Sequence, residues 1–263
     1  MALSFGKSKD KNLFYLIEPS FIKKFVTIFG FSARFLRGLE KNILPKPPSF
    51  SGSLSIQKEG KEKVLSIEEF EKLVGVSFIP QLDFLKFSLL NTIVEKTLKF
   101  HKKDQLSCRQ LWLGSYFKKE ILNPILPPIA LRWIDSQVGW GVFTTKPIKK
   151  MEFIGEYAGK VRKRKREDKK NAYCFEYMLA EGYDSPYVID ARDQGGIVRY
   201  INHSDKPNLI STLATFDHLS HVILLAKEPI PAGTQLLYDY GGNYWKHRLR
   251  PKELSSSQKD LSK

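Results

Sequence analysis

Two short blocks constrain this chain more than its length or composition does. Arg199-Tyr200-Ile201-Asn202-His203-Ser204-Asp205-Lys206-Pro207-Asn208 sets an amide beside an imidazole ahead of a Pro-terminated turn. Further along, Leu236-Leu237-Tyr238-Asp239-Tyr240-Gly241 sets two tyrosines around one Asp. Adjacent Asn and His side chains can contact several polar atoms of one ligand at once, and the tyrosines offer hydroxyls along an extended segment. The two blocks together point to an active site.

Upstream, Gly139-Trp140-Gly141-Val142-Phe143, Gly155-Glu156-Tyr157-Ala158-Gly159 and Tyr187-Val188-Ile189-Asp190-Ala191 precede them in order. Any one block alone is weak, because Gly-x-Gly and Asp-Tyr-Gly recur without function. The five in this order resemble the SET domain of protein lysine methyltransferases. The resemblance implies an α+β fold of several small β-sheets with a threaded, knot-like active site, preceded here by a mainly helical accessory region.

At 263 residues the chain is long enough for one large domain or two modest ones, and 42% hydrophobic with 27% charged residues reads as globular. A formal net charge of +15 attracts nucleic acid, acidic proteins or anionic membrane surfaces without choosing among them. The two cysteines, Cys108 and Cys174, form no disulfide or metal-ligand pattern, which fits a reducing compartment. No signal sequence and no long uninterrupted apolar run is visible. The expectation is a soluble protein of the nucleus or cytoplasm, or one secreted by a signal not recognisable in this way.

Residues 1–43 mix aromatic and basic side chains, as in Phe21-Ile22-Lys23-Lys24-Phe25, and suit either a helix packed on the protein or an amphipathic helix at an acidic surface. Proline and glycine over Leu44–Ser53 then interrupt any helix. In the accessory region, 44–125, Ser66 caps a helix with an acidic first turn, and apolar spacing predicts another over Asp83–Lys103. After Asn123-Pro124-Ile125-Leu126-Pro127-Pro128 the chain changes to short strand-like runs, placing the catalytic domain at 126–245 and a basic polar tail at 246–263. The run Lys160–Arg166 reads as a solvated basic face, a steering patch or a nuclear address.

The family resemblance implies S-adenosyl-L-methionine as methyl donor and a lysine-bearing protein as acceptor, histone or other chromatin-associated basic proteins foremost. On this likeness Val138, Gly139 and Trp140 line the donor, Tyr173 helps hold it, and Asn202 and His203 bind its polar groups. Tyr240 occupies the catalytic position and also touches the cofactor, while Tyr238 occupies the position that limits how many methyl groups a lysine receives, so the expected product is mono- or dimethyl-lysine. Arg199 and Asn208 are expected to support the turn, Asn208 by local hydrogen bonding. Many relatives hold zinc through a Cys where this chain has Asp205 and through flanking cysteine clusters; those cysteines are absent, so no metal is expected, and Tyr244 with Trp245 stands where the metal-bound lid would be. The competing reading is a binding protein of the same fold that recruits chromatin, nucleic acid or membrane without turnover.

Overall fold

The computed structural model describes residues 54–58, 61–246 and 248. The expected N-terminal segment 1–43, the Pro-rich stretch after it and nearly all of the tail lie outside the described residues.

Two capping boxes start the helices that the sequence marks most clearly. Ser66 Oγ accepts from Glu69 N–H while Glu69 Oε2 accepts from Ser66 N–H, opening α1, Ile67–Val74. Ser107 and Gln110 repeat the arrangement at α3, Cys108–Tyr116. Between them α2 runs Phe87–Lys102, burying Leu90, Ile93 and Val94, and α4, Lys118–Leu122, follows α3.

The strands form small sheets joined by long-range pairings. β1 (Leu54–Lys58) and β2 (Lys61–Leu65) make a hairpin, and β1 lies parallel to β5 (Ile129–Asp135), which pairs antiparallel with β6 (Gly139–Thr144). Short β3 (Ser77–Phe78) pairs with β11 (Gln194–Gly195). Another sheet runs in the order β4 (Asp83–Phe84), β8 (Lys160–Lys163), β10 (Tyr187–Asp190), β9 (Cys174–Glu176). The third unites β13 (Leu209–Phe216), β14 (Leu219–Ala226) and β7 (Phe153–Glu156), with β14 buried along its whole length. Last, β12 (Asn202–His203) lies parallel to β15 (Leu237–Tyr238), ahead of the short helix α5 (Gly242–Trp245).

The expected helical accessory region is therefore not a separate module. It is helical over α1 to α4, but its strands β1 to β4 complete sheets whose other strands come from beyond residue 126. One apolar core contains Leu54, Phe70, Phe84 and Ile93 together with Ile154, Val198 and Tyr238. The boundary expected between residues 125 and 126 marks a change of local chemistry, while one core draws on residues from both sides of it.

Leu54 is completely buried, so Leu54→Ala is expected to cost about 2–5 kcal/mol of unfolding free energy in urea titration, against little for exposed Leu85→Ala. For the same reason a chain lacking residues 1–120 is expected to show no cooperative unfolding transition. A well-folded truncated chain would refute the shared core.

Candidate active site

The site is built where β12 meets β15. Asn202 pairs with Leu237 and His203 with Tyr238, and Ser204 N–H continues the contact to the Tyr238 carbonyl at 3.2 Å. Asn208 fastens the crossing from both sides of its amide: Nδ2 donates to the Gln235 carbonyl at 2.8 Å and Oδ1 accepts from Leu237 N–H at 2.9 Å. Its role is thus a long-range staple, not the local hydrogen bond expected from a turn Asn. Asn202 Nδ2 donates to the Trp140 carbonyl at 3.1 Å, tying β6 to the same point. A Cβ at Gly141 would come within 2.7 Å of Ile134 Cδ1 and 2.9 Å of Gln235 Nε2, so those side-chain ends would have to shift to admit one.

His203 is buried and oriented by the backbone. Its Nδ1 accepts from Tyr240 N–H at 3.2 Å, which leaves the proton on Nε2. That buried Nε2 lies 3.2 Å from Asp205 Oδ1 without aligning into a hydrogen bond. The Tyr240 hydroxyl donates to the Ile201 carbonyl at 2.9 Å, so its lone pairs face away from that partner.

Aromatic rings close around this point. Tyr240 lies 4.7 Å from both Tyr238 and Tyr244 between ring centroids, and His203 lies 4.7 Å from Trp245. Burial pushes the Tyr240 hydroxyl far above its ordinary pKa, and the neighbouring Tyr244 adds to it. Burial likewise raises Tyr238, with Tyr240 contributing, and raises Tyr157, again with Tyr240 next in effect. Tyr157 was present in the sequence block Gly155–Gly159 without being singled out; its burial beside Tyr240 makes it a wall of the site.

The opposite wall depends on an ion cluster. Arg162 bridges Asp168 and Asp190, donating through Nη1 to Asp168 at 2.8 Å and through Nη2 to Asp190 at 2.7 Å. Asn171 Nδ2 donates to Asp190 at 2.8 Å, and Asn171 Oδ1 accepts from Tyr173 N–H at 3.0 Å. Arg199 then stacks its guanidinium 3.8 Å from the Tyr173 ring centre and donates to the Ala191 carbonyl at 2.7 Å. The expected solvated basic run is therefore divided: Lys160–Lys163 is strand β8, with Val161 in the core and Arg162 in the ion cluster, while Arg164 to Arg166 stay exposed. Arg248 adds a clasp the sequence reading missed, donating to the carbonyls of Tyr244 at 2.7 Å and Asn171 at 2.8 Å.

One cleft of about 2180 Å³ is lined by all of the predicted site residues: Val138, Gly139, Trp140, Tyr173, Asn202, His203, Tyr238 and Tyr240. Val138 is held by its N–H donating to Asp135 Oδ1 at 2.7 Å, and Gly139 takes a φ of 78°, a left-handed conformation that favours glycine. His221, by contrast, is a buried structural partner of Glu156, with Nδ1 2.7 Å from Oε1. Among the described residues no group of three or more His, Cys, Asp or Glu could hold a metal ion.

This segment matches the SET domain family over residues 139–241. Residues 139–241 are a SET domain. Among curated relatives, the histone-lysine N-methyltransferase Su(var)3-9 of Drosophila pseudoobscura pseudoobscura is 34% identical over 125 residues, 43% of this chain and 20% of the relative. The histone-lysine N-methyltransferase Set8 of Drosophila melanogaster is 36% identical over 149 residues, 53% of this chain and 21% of the relative. The chain thus spans about a fifth of the length of these relatives. A crystal structure of KRYPTONITE in complex with mCHH DNA, an H3(1-15) peptide and SAH shares 30% identity over 43% of this chain and 23% of that one, with a TM-score of 0.37. The SET domain supplies the site, and β1 to β4 from outside the matched segment brace it.

Asp168 and Asp190 give the brace a pH signature. Burial alone would raise both carboxyls, but hydrogen bonds from Arg162 to each, with Lys165 N–H on Asp168 and Asn171 on Asp190, hold them below the usual range. A depressed folded-state pKa contributes stability above the unfolded value, near ~3.9, and loses it as pH falls through the folded value. Urea midpoints are therefore expected to fall steeply below about pH 4, and Arg162→Gln should flatten that slope. An unchanged slope in the variant would show that the cluster is not the acid-sensitive element.

Proposed function

We propose that the chain is an S-adenosyl-L-methionine-dependent protein-lysine N-methyltransferase. The observation that carries this is the convergence of Asn202, His203, Trp140, Tyr238 and Tyr240 on one cleft at the β12–β15 crossing. The identity to named histone-lysine methyltransferases supports the reaction class, and histone or other chromatin-associated proteins are the candidate substrates.

The residues present fit the donor. His203 Nε2 is a buried donor without an aligned acceptor, Gly139 leaves its side-chain direction open, and the rings of Tyr244 and Trp245 provide apolar cover. Val138, Gly139 and Trp140 would lie along one side, Tyr173 at the stacked Arg199 wall, and Asn202 and His203 at the polar atoms. When bound, S-adenosyl-L-methionine supplies an electrophilic sulfonium methyl group.

Methyl transfer to an amine needs an uncharged nucleophile and an in-line approach. Tyr240, anchored to the Ile201 carbonyl, presents hydroxyl lone pairs to the reacting region and positions the amine and methyl group. It does not act as the base: at neutral pH its raised pKa keeps it protonated, and accepting a further proton would require an oxonium. Tyr238 and Tyr157 are also retained as hydroxyls, so the lysine proton leaves toward solvent along the cleft before transfer. Burial of an ammonium among these rings disfavours its charge and assists that loss.

Asn202→Ala and His203→Ala are each expected to weaken donor binding about tenfold in calorimetry of folded protein, the cost of one buried hydrogen bond. Unchanged affinity in both would remove them from the donor site. Tyr240→Phe is expected to retain donor binding and lower turnover about a hundredfold, by analogy with loss of one preorganised polar group. Tyr238→Phe removes a hydroxyl that restricts the rotated, methylated amine, and should shift the products of a single-lysine substrate from mono- and dimethyl toward trimethyl-lysine. Intact-mass analysis at matched conversion decides this; predominant trimethylation by the unaltered chain would refute the restriction. Donor binding without transfer to any protein would return the recruitment reading.

A further inference from the structure

The cleft has an uneven charge. Lys163, Arg166 and Lys169, from the end of β8 and the 3-10 turn Arg166–Lys170, line it, and Lys246 adds a fourth exposed cation from beyond α5. None of these four has a carboxylate partner among the described residues. The carboxylates that line the same cleft are already neutralised. Asp168 is held by Arg162, and Glu176 lies 3.1 Å from Arg164 and accepts from Ser185 N–H at 3.4 Å. The rim therefore presents uncompensated positive charge in the cleft that also holds the tyrosines.

Such a rim repels a lysine carried in a basic tail and attracts one carried among carboxylates. We propose that this cleft selects protein segments in which the target lysine is flanked by Asp and Glu, held by Lys163, Arg166, Lys169 and Lys246. The proposal rests on the lysine-methyltransferase reading and, within it, favours acidic segments over basic histone-type tails. A peptide fits the observations better than duplex nucleic acid, because the four cations belong to one cleft that also holds the buried tyrosines and come from three separate places in its lining. Strong duplex binding draws on roughly 6–10 phosphate contacts.

Each exposed contact contributes little, so the preference is the sum of several and is screened by salt. Fluorescence anisotropy of the full chain with short labelled peptides provides the test, each with a central lysine flanked by Asp and Glu, by Gln and Ser, or by Lys and Arg. The acidic peptide is expected to bind about tenfold more tightly than the neutral one at low salt, with the advantage shrinking as salt is added. The triple variant K163E/R166E/K169E, with an unchanged melting temperature, should reverse the order. Equal affinity for the three peptides, or a preference for the basic one, overturns the proposal. Labelled duplex DNA forms a further arm: if the variant loses duplex binding while the peptide order is unchanged, the rim is a nucleic-acid surface and the proposal fails. Methyl transfer measured on the same peptides separates the two claims. Acidic preference in binding without any transfer sinks the methyltransferase reading alone, and transfer without charge preference sinks only the substrate class.

Discussion

The parallel pairing of Asn202 with Leu237 and His203 with Tyr238 is only two residues long, too short to hold itself together. What makes it rigid is the set of contacts that converge on it from both chain segments. Asn208 occupies the Gln235 carbonyl and the Leu237 N–H, Asn202 reaches the Trp140 carbonyl, and Tyr240 bonds to His203 through its backbone and to Ile201 through its hydroxyl. Each bond fixes a group whose position the next one needs, so the crossing is cooperative in a way no single pair would be. The polar contacts of Asn202, His203 and Tyr240 are thus set before a ligand arrives.

Two dielectric environments meet at this crossing. Beneath it, Tyr157, Tyr238 and Tyr240 are buried together, and loss of a proton from any of them would place a negative charge in apolar surroundings near other hydroxyls. Above it, lysines and arginines stand in water where their charge costs nothing to keep. A side chain moving from the rim to the rings thus passes from a place that tolerates charge to one that penalises it. Cys174, also in the cleft wall, feels the same penalty: burial, followed by the nearby Asp168 charge, pushes its thiol up to about 12, leaving it unreactive as a nucleophile.

The site was legible because its residues lie in contiguous blocks, each with its own local pattern. Asn202-His203 and Tyr238-Asp239-Tyr240 could be read directly, and they meet in space as the resemblance implied. The helices beginning after Ser66 and Ser107 carry their start signals in adjacent residues, of which the first was read and the second was not. What escaped was long-range. β1 shows apolar alternation over only five residues, and nothing local in it says that its partner is β5. Lys160–Lys163 looked solvated because charge dominates its composition, yet its one apolar residue, Val161, is the one that reaches the core. Asn208 appeared to be a turn residue, since a staple to Gln235 and Leu237 depends on a crossing that sequence spacing does not encode.

The pairing of β1 with β5, β3 with β11 and β4 with β8 also sets an order of events during synthesis. The strands near Leu54 and Ser77 leave the ribosome first, but their partners follow only after α1 to α4 have been made. Until then the hairpin of β1 and β2 has an open edge, with Leu54 and Leu65 lacking the core that covers them in the finished protein. Loop closure over such separations is slow, and a nascent chain in this state is exposed to pairing with its neighbours. The same strands that brace the mature cleft therefore leave the unfinished chain with unpaired edges until their partners are made.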